Sequence, residues 1–375
     1  MKKIAENYIY NINAAHHKAL GGATMMSDDE RIAEILGDAK RSGVEYADFE
    51  FVDVLGHAKM CEIPIARLEE CLKDGLWFDG SSIQGFARIA ESDMFLMPDL
   101  STWAVLPWTG GKVARLICDV YNDEKTPYGS APRYILKKAL AKAKEKGFEL
   151  KAGPELEFFI FKSANGGASS DPVTAVVHDQ AGYFDLATLD EAVDLRREIV
   201  SALEKLGFNI EMGHHEVAQG QHEIDFRYDH ALTIADRVVT YKTTIKTLAK
   251  KYGLYVSFMP KPVFGINGSG MHIHQSLWKD GKNAFHDESD KYRLSATAKS
   301  YMAGIISHAR AIAAVTNPTV NSYKRLVPGY EAPVYICWGA VNRSALIRIP
   351  RGRADKPGAT RVEVRFPDPS CNPYL

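Results

Sequence analysis

Glu155 and Glu157 sit two apart in Gly153-Pro154-Glu155-Leu156-Glu157-Phe158, a spacing that puts both carboxylates on one face of a β-strand. The same alternation lines up His272, His274 and Ser276 in Met271–Ser276, and sets Arg361, Glu363 and Arg365 opposite Val362 and Val364. Gln221-His222-Glu223 adds a carboxylate, and His214-His215-Glu216 adds another just upstream. Any one of these segments alone reads as a strand with a solvated face. Such faces usually mix Lys, Thr, Ser and Gln, whereas these positions are Glu, His and Arg. Carboxylates at that density repel one another unless cations neutralise them. Oxygen donors with a few imidazoles suit Mg²⁺ or Mn²⁺, so the pattern predicts a cavity holding more than one divalent ion.

Arginines crowd the last fifth of the chain: Arg325, Arg343, Arg348, Arg361 and Arg365. Guanidinium forks match phosphate and carboxylate oxygens. Beside metal ions they provide what phosphoryl transfer requires, charge stabilisation and alignment of donor with acceptor. Two glycine-bearing loops, Asn267-Gly268-Ser269-Gly270 and Phe78-Asp79-Gly80-Ser81-Ser82, would let a ligand approach the backbone, although either could be an ordinary turn. Neither G-x-x-x-x-G-K-[ST] nor G-x-G-x-x-G occurs, so a nucleotide must be held in another way.

These side chains need strands and helices to position them. Ser27-Asp28-Asp29-Glu30 predicts a capping box ahead of an amphipathic helix ending at Gly43. Residues 1–26 carry no such order and read as an N-terminal extension. Phe49–Val54 and Val113–Val120, among Gly- and Pro-containing turns, predict a small strand-rich domain over 27–125. Thr126–Gly129 reads as a linker, after which Ser130 is expected to cap a helix running to Gly147. Further helices are expected at Thr188–Leu206 (with a Thr188/Glu191 capping box), Leu232–Tyr252 and Ser295–Val315. Strands at 153–161, 221–228, 271–278, 345–349 and 361–366 alternate with them, giving a mixed α/β second domain over 126–375 and an α+β chain.

Composition narrows the class. Forty-six basic against 47 acidic residues leave a formal charge of -1, no footprint for nucleic acid or anionic lipid. Five cysteines without a C-x-x-C pair fit neither a disulfide framework nor a thiolate zinc site. With no secretory apolar stretch near the start and no run of about 20 apolar residues, a cytoplasmic location is expected.

Phe78–Ile83 (FDGSSI), Gly153–Phe158 (GPELEF), His214–Asp225 (HHEVAQGQHEID), Asn267–His274 (NGSGMHIH), Asn317–Pro333, Asn342–Pro350 and Arg361–Leu375 together resemble class I glutamine synthetase, in the family's order from about Ser27 onward. Arg88 and the short His215–Glu223 spacing resemble the Bacillus and archaeal subgroup, which glutamine inhibits by feedback. The resemblance implies a β-grasp-like N-terminal domain and a catalytic α/β domain with a curved, mainly antiparallel sheet. It also implies a dodecamer of two stacked rings whose active sites are shared between neighbours.

Position by position, the resemblance gives one metal Glu157, Glu216 and Glu223, and the other Glu155, His272 and Glu363. It gives L-glutamate Asn267, Gly268, Arg325 and Arg365. ATP would meet Glu211, His274, Ser276, Arg348 and Arg361, with Arg343 on the transferring phosphoryl group. Asp79 from an adjacent subunit would deprotonate ammonium, and Glu331 would close over the site. The family continues past Leu375 into a helical segment that reaches the other ring and that this sequence does not include. Two other readings stand beside glutamine synthesis: a γ-glutamyl ligase for a larger amine, and a non-catalytic relative with regulatory function.

Overall fold

Helix α1 (Asp28–Ser42) begins as the sequence predicts. The Ser27 hydroxyl accepts the Glu30 N–H, the Glu30 carboxylate accepts the Ser27 N–H, and Gly43 ends the helix at φ +70°. Its Ile32, Ile35 and Ala39 are buried. The computed structural model describes residues 26–83, 85–86, 93–123, 125–162, 176–351 and 355–375. Arg88 and residues 1–25 of the expected extension lie outside them.

The described chain divides into two compact units. The first takes in residues up to 51, then 59–83 and up to 129, and the second takes 52–58, 85–86 and 130–375. After α1 the first unit contains β1 (Tyr46–Val52), β2 (Ala58–Pro64), α2 (Leu68–Asp74), β3 (Leu76–Asp79), β4 (Asp93–Pro98), β5 (Ala104–Val105) and β6 (Val113–Tyr121). The sheet order is β2-β1-β6-β4-β3, with β1 parallel to β6 and β4 antiparallel to β3 and β6. It is a β-grasp-like unit. Phe49, Leu116, Leu96 and Phe95 fill its interior.

The second unit opens with α3 (Pro132–Glu145). Ser130 does not cap it: Pro132, whose fixed φ suits the first helical position, makes Ala131 the N-cap, and alanine offers no side-chain bond. Then come β7 (Glu149–Lys162), β8 (Val176–Val177) and α4 (Val193–Lys205). Helix α4 starts later than Thr188. Asp190 accepts the Ala192 N–H (3.0 Å) and pairs with Arg196, which holds the approach as a turn in place of the expected capping box. The rest comprises β9 (Ile210–His215), β10 (Gln221–Phe226), β11 (Asp229–His230), α5 (Ala231–Lys251), β12 (Leu254–Ser257), β13 (Met271–Lys279), β14 (Lys282–Asn283), α6 (Ala296–Thr316), α7 (Val320–Arg325), β15 (Tyr335–Ala340), β16 (Ala345–Ile349) and β17 (Val362–Val364).

These strands form one 11-stranded, largely antiparallel sheet in the order β15-β16-β17-β13-β7-β10-β9, with β8, β11 and β12 on β7 and β14 on β13. Helices cover one face. Ala298, Met302 and Ala309 of α6 pack on Ile347, Ile349, Val362 and Val364, while Tyr241 of α5 meets the rings of Phe158, Phe226 and Phe258. Each such apolar side chain contributes roughly 1.5–3 kcal/mol when fully buried. Because side chains alternate, the burial of Val362 and Val364 against α6 turns Glu363 to the opposite face. The chain's last residues join this unit: Asn372 donates to the carbonyls of Asp53 and Val54 (both 3.1 Å), and the Tyr374 hydroxyl donates to Asp236 (2.7 Å). Among the described residues no helix is long and apolar enough to cross a membrane.

Candidate metal centres and active site

Strand register carries the acidic residues into one band. Arg348 lies opposite Glu363, Glu363 opposite His274, His272 opposite Glu155, Glu157 opposite Glu223, and Glu223 opposite His214. Two groups of three within this band have ligand atoms within 4.8 Å of one another: Glu155, His272 and Glu363, and His214, Glu216 and Glu223.

In the first group, His272 Nδ1 lies 3.4 Å from Glu155 and 3.9 Å from Glu363. Arg348 and Arg365 both grip the Glu363 carboxylate. Arg361 Nε–H donates to His274 Nδ1 (3.0 Å), so the other ring nitrogen, Nε2, carries the proton that reaches Glu155 Oε1 at 2.7 Å. Burial works to raise the Glu155 pKa, yet hydrogen bonds from His272 and His274 hold it well below the ordinary carboxylate range. Glu363 is also held low: burial opposes, and the nearby His272, His274 and Arg365 outweigh it.

The second group behaves in the opposite sense. His214 Nε2 lies 2.9 Å from Glu216 and 3.9 Å from Glu223. Burial, then repulsion from Asp225, Glu157 and Glu155, pushes Glu223 well above its usual value. Glu157 is raised to about 8 by burial and by the Glu216 charge, although it accepts Gly270 N–H and Gln221 Nε2–H, each at 2.9 Å. Carboxylates that must take up protons to coexist are suited to sharing a cation, and their oxygens with one imidazole fit Mg²⁺ or Mn²⁺. The expected ligands are thus brought together, with one difference. His214 completes the cluster of Glu216 and Glu223, while Glu157 stands beside it, bonded to Gln221.

A recess joins these carboxylates to the neighbouring loops; it is lined by Glu157, Glu216, His272, Asn267, Gly268, Arg325 and residues 330–332. Gly270 is required here, because a Cβ would collide with the Arg325 guanidinium and the His272 ring. Arg325 donates to the carbonyls of Arg365, Phe366 and Pro367 at 3.0–3.2 Å. Glu331 and Arg343 face each other at 3.5 Å, and Arg365 ties their backbones, donating to Arg343 O (2.9 Å) and Glu331 O (3.2 Å).

Asp79, Ser276 and Glu211 are not among the residues of these clusters or of the recess. Asp79 belongs to the first unit, exposed, its carboxylate held low by the Ser81 N–H at 2.8 Å. Ser276 is buried farther along β13 and accepts the Trp278 indole N–H (3.0 Å). Glu211 is exposed: the β9–β10 register shifts between Asp225 and Phe226, and Glu211 is the extra residue of that bulge. His214, Gln221 and Asp179 were not singled out from sequence as site residues. The first two are legible only through pairing register, and Asp179 carries no local signal.

The fold has counterparts among known proteins. Residues 43–123 match the family described as glutamine synthetase, beta-Grasp domain, and residues 129–375 match glutamine synthetase, catalytic domain. The chain is 53% identical over 344 residues to a glutamine synthetase of Clostridium saccharobutylicum, spanning 91% of this chain and 76% of the relative. It is 55% identical over 347 residues to one of Methanocaldococcus jannaschii, spanning 90% and 75%. A Plasmodium falciparum glutamine synthetase solved by cryo-EM superposes with a TM-score of 0.85 at 32% identity, covering 94% of this chain and 74% of that one. GmaS without ligand gives 0.79 at 35% identity, covering 90% and 77%. The chain belongs to the glutamine synthetase family, in its class I bacterial and archaeal branch. It is accordingly an enzyme of the ATP-dependent amide-ligase kind.

Proposed function

We propose that the enzyme joins ammonia to the γ-carboxylate of L-glutamate at the expense of ATP, through γ-glutamyl phosphate. A carboxylate is a poor acyl donor because its leaving group would be oxide. In the first step a γ-carboxylate oxygen attacks the terminal phosphorus of ATP, the bond to the β–γ bridging oxygen breaks, and ADP departs. In the second, ammonia attacks the activated carbonyl carbon and inorganic phosphate leaves.

In this reading Arg325, Arg365, Asn267 and Gly268 hold glutamate. Glu211, His274, Ser276, Arg348 and Arg361 receive ATP, and Arg343 stabilises charge on the phosphoryl group as it transfers. Ammonium has no lone pair, so Asp79 of a neighbouring copy accepts its proton. Glu331 closes over the acyl phosphate and excludes water. Divalent Mg²⁺ or Mn²⁺, when held by Glu155, His272 and Glu363 and by Glu157, Glu216 and Glu223 with His214, neutralises phosphate charge. The enzyme works as a homo-oligomer with shared sites.

The observation that carries the reading is the meeting of two oxygen-rich clusters with Arg348, Arg361 and Arg365 along one band of the sheet, and with Arg325 of α7 beside His272. The test is phosphate release from ATP by the purified chain with glutamate and Mn²⁺, together with chromatography of the amino-acid product. Ammonium-dependent release with glutamine formed is expected. A response to methylamine or polyamines but not to ammonium would replace glutamine synthesis with another γ-glutamyl ligation.

A further inference from the structure

The β9–β10 hairpin has a second face, which the chemistry above leaves unused. His215 pairs with His222 and His214 with Glu223. Since alternate residues point to opposite sides, His214 and Glu223 face the metal-binding band while His215 and His222 turn into the interior. There they meet Asp179. Its Oδ1 lies 2.9 Å from His215 Nε2 and its Oδ2 4.0 Å from His222 Nε2, all three side chains being 0% exposed. The carboxylate also accepts backbone N–H groups from Gly220 (3.1 Å), Ala181 (3.4 Å) and Glu191 (3.3 Å).

Asp179, His215 and His222 have the composition and spacing of a third cation site, but the proton positions argue against one. Arg196 Nη1 lies 3.1 Å from His222 Nδ1. A guanidinium only donates, so Nδ1 accepts and the ring proton sits on Nε2, the nitrogen facing Asp179. A ligating imidazole needs a lone pair there and donates from its other nitrogen. Arg196 cannot turn away cheaply, being paired with buried Asp190 at 2.6 Å. His215 has an acceptor at each nitrogen, Asp179 on one side and the Glu216 carbonyl at 2.7 Å on the other.

We propose that Asp179 and His215 are positioning residues for the cation site of His214, Glu216 and Glu223, an inference that rests on the metal-dependent reading of the band. Glu216 lies in the chain between two points that one carboxylate grips: His215 at the end of β9 and the Gly220 N–H in the turn. That turn has little freedom, since Gly220 has φ +67° and an added Cβ would come within 2.9 Å of the Ile160 carbonyl. Gripping both points fixes where Glu216 and Glu223 aim. The grip extends to the neighbouring loop, where Phe184 donates its N–H to His215 O (3.1 Å) and lays its ring 4.8 Å from that of His214.

Asp179→Asn keeps the size and removes the charge that holds His215. Mn²⁺ titrated into metal-free protein, with free Mn²⁺ read by electron paramagnetic resonance, is expected to bind the native enzyme in two classes. In the variant one class should weaken about tenfold or more while the other keeps its affinity, the size usual for a residue that orients ligands. Activity should be recovered by added Mn²⁺, with the half-activating concentration raised by the same factor. His215→Gln, which retains an amide donor toward Asp179, is titrated in parallel and should shift the same class by less, so a misfolded Asp179→Asn still leaves a readable variant. Equal weakening of both classes, or of neither, overturns the proposal. So does a third tightly held metal in the native protein that Asp179→Asn loses. A native enzyme that binds no Mn²⁺ overturns the reading of the band itself, and this inference with it.

Discussion

Glu155 and Glu157 are two residues apart on one strand yet are driven in opposite directions, by different neighbours. His272 and His274 donate to Glu155, whereas Glu157 is desolvated beside Glu216 and rises to about 8. A pKa raised on folding favours the protonated native form. The contribution of Glu157 to stability is therefore fully present below its ordinary value of 4.5 and is lost as pH climbs through about 8. A divalent ion must displace that proton. Mn²⁺ affinity of the metal-free enzyme should accordingly rise with pH through about 8, with protons released on binding. Calorimetric titration in buffers of different ionisation enthalpy measures this directly. Glu157→Gln should bind Mn²⁺ more weakly and with a flatter pH dependence. Affinity in the native enzyme that does not change between pH 6 and 8 would contradict the assignment.

At the scale of elements, the candidate site residues were legible wherever they alternate along a strand. Glu155, His272, His274, Glu363 and Arg365 stand out because Glu, His and Arg occupy faces where a solvated strand would carry Lys, Thr or Ser. What stayed hidden depends on pairing or on distant partners. His214 and His215 are adjacent in sequence and look equivalent, and only the pairing of His214 with Glu223 tells which one joins the metal cluster. The starts of α3 and α4 were misplaced because Ser130 and Thr188 have the right chemistry, while Pro132 and the Asp190–Arg196 pair decide where each helix begins. Joining α3 to α5 is a tertiary contact with no local signature: Arg133 donates to both oxygens of Asp236, at 3.0 and 2.9 Å, and Tyr374 adds its hydroxyl. Asp236→Asn removes the negative charge from this buried pair and should destabilise the second unit by about 3–5 kcal/mol. Tyr374→Phe should cost only about 1 kcal/mol. Denaturant unfolding of the two variants checks the order.

Across the whole molecule, the candidate ligands of the two clusters come from β7, β9, β10, β13 and β17 and from the turn after β9, elements separated by nearly the full length of the second unit. A one-residue slip of any of these strands would turn its donors to the helix-covered side. Cation binding therefore reports more than affinity. During refolding, Mn²⁺ capture should lag behind the recovery of helical circular dichroism and coincide with the last phase of sheet assembly, as stopped-flow measurement with a metal-sensitive dye can follow. Capture in step with the earliest helical signal would mean that fewer strands suffice. An ion that binds the native sheet and not the unfolded chain stabilises the fold by mass action, so added Mn²⁺ should shift the equilibrium toward the folded state. In a cell, scarcity of manganese or magnesium would then reduce the amount of folded enzyme as well as its turnover, and the metal supply would set how long each molecule survives proteolysis.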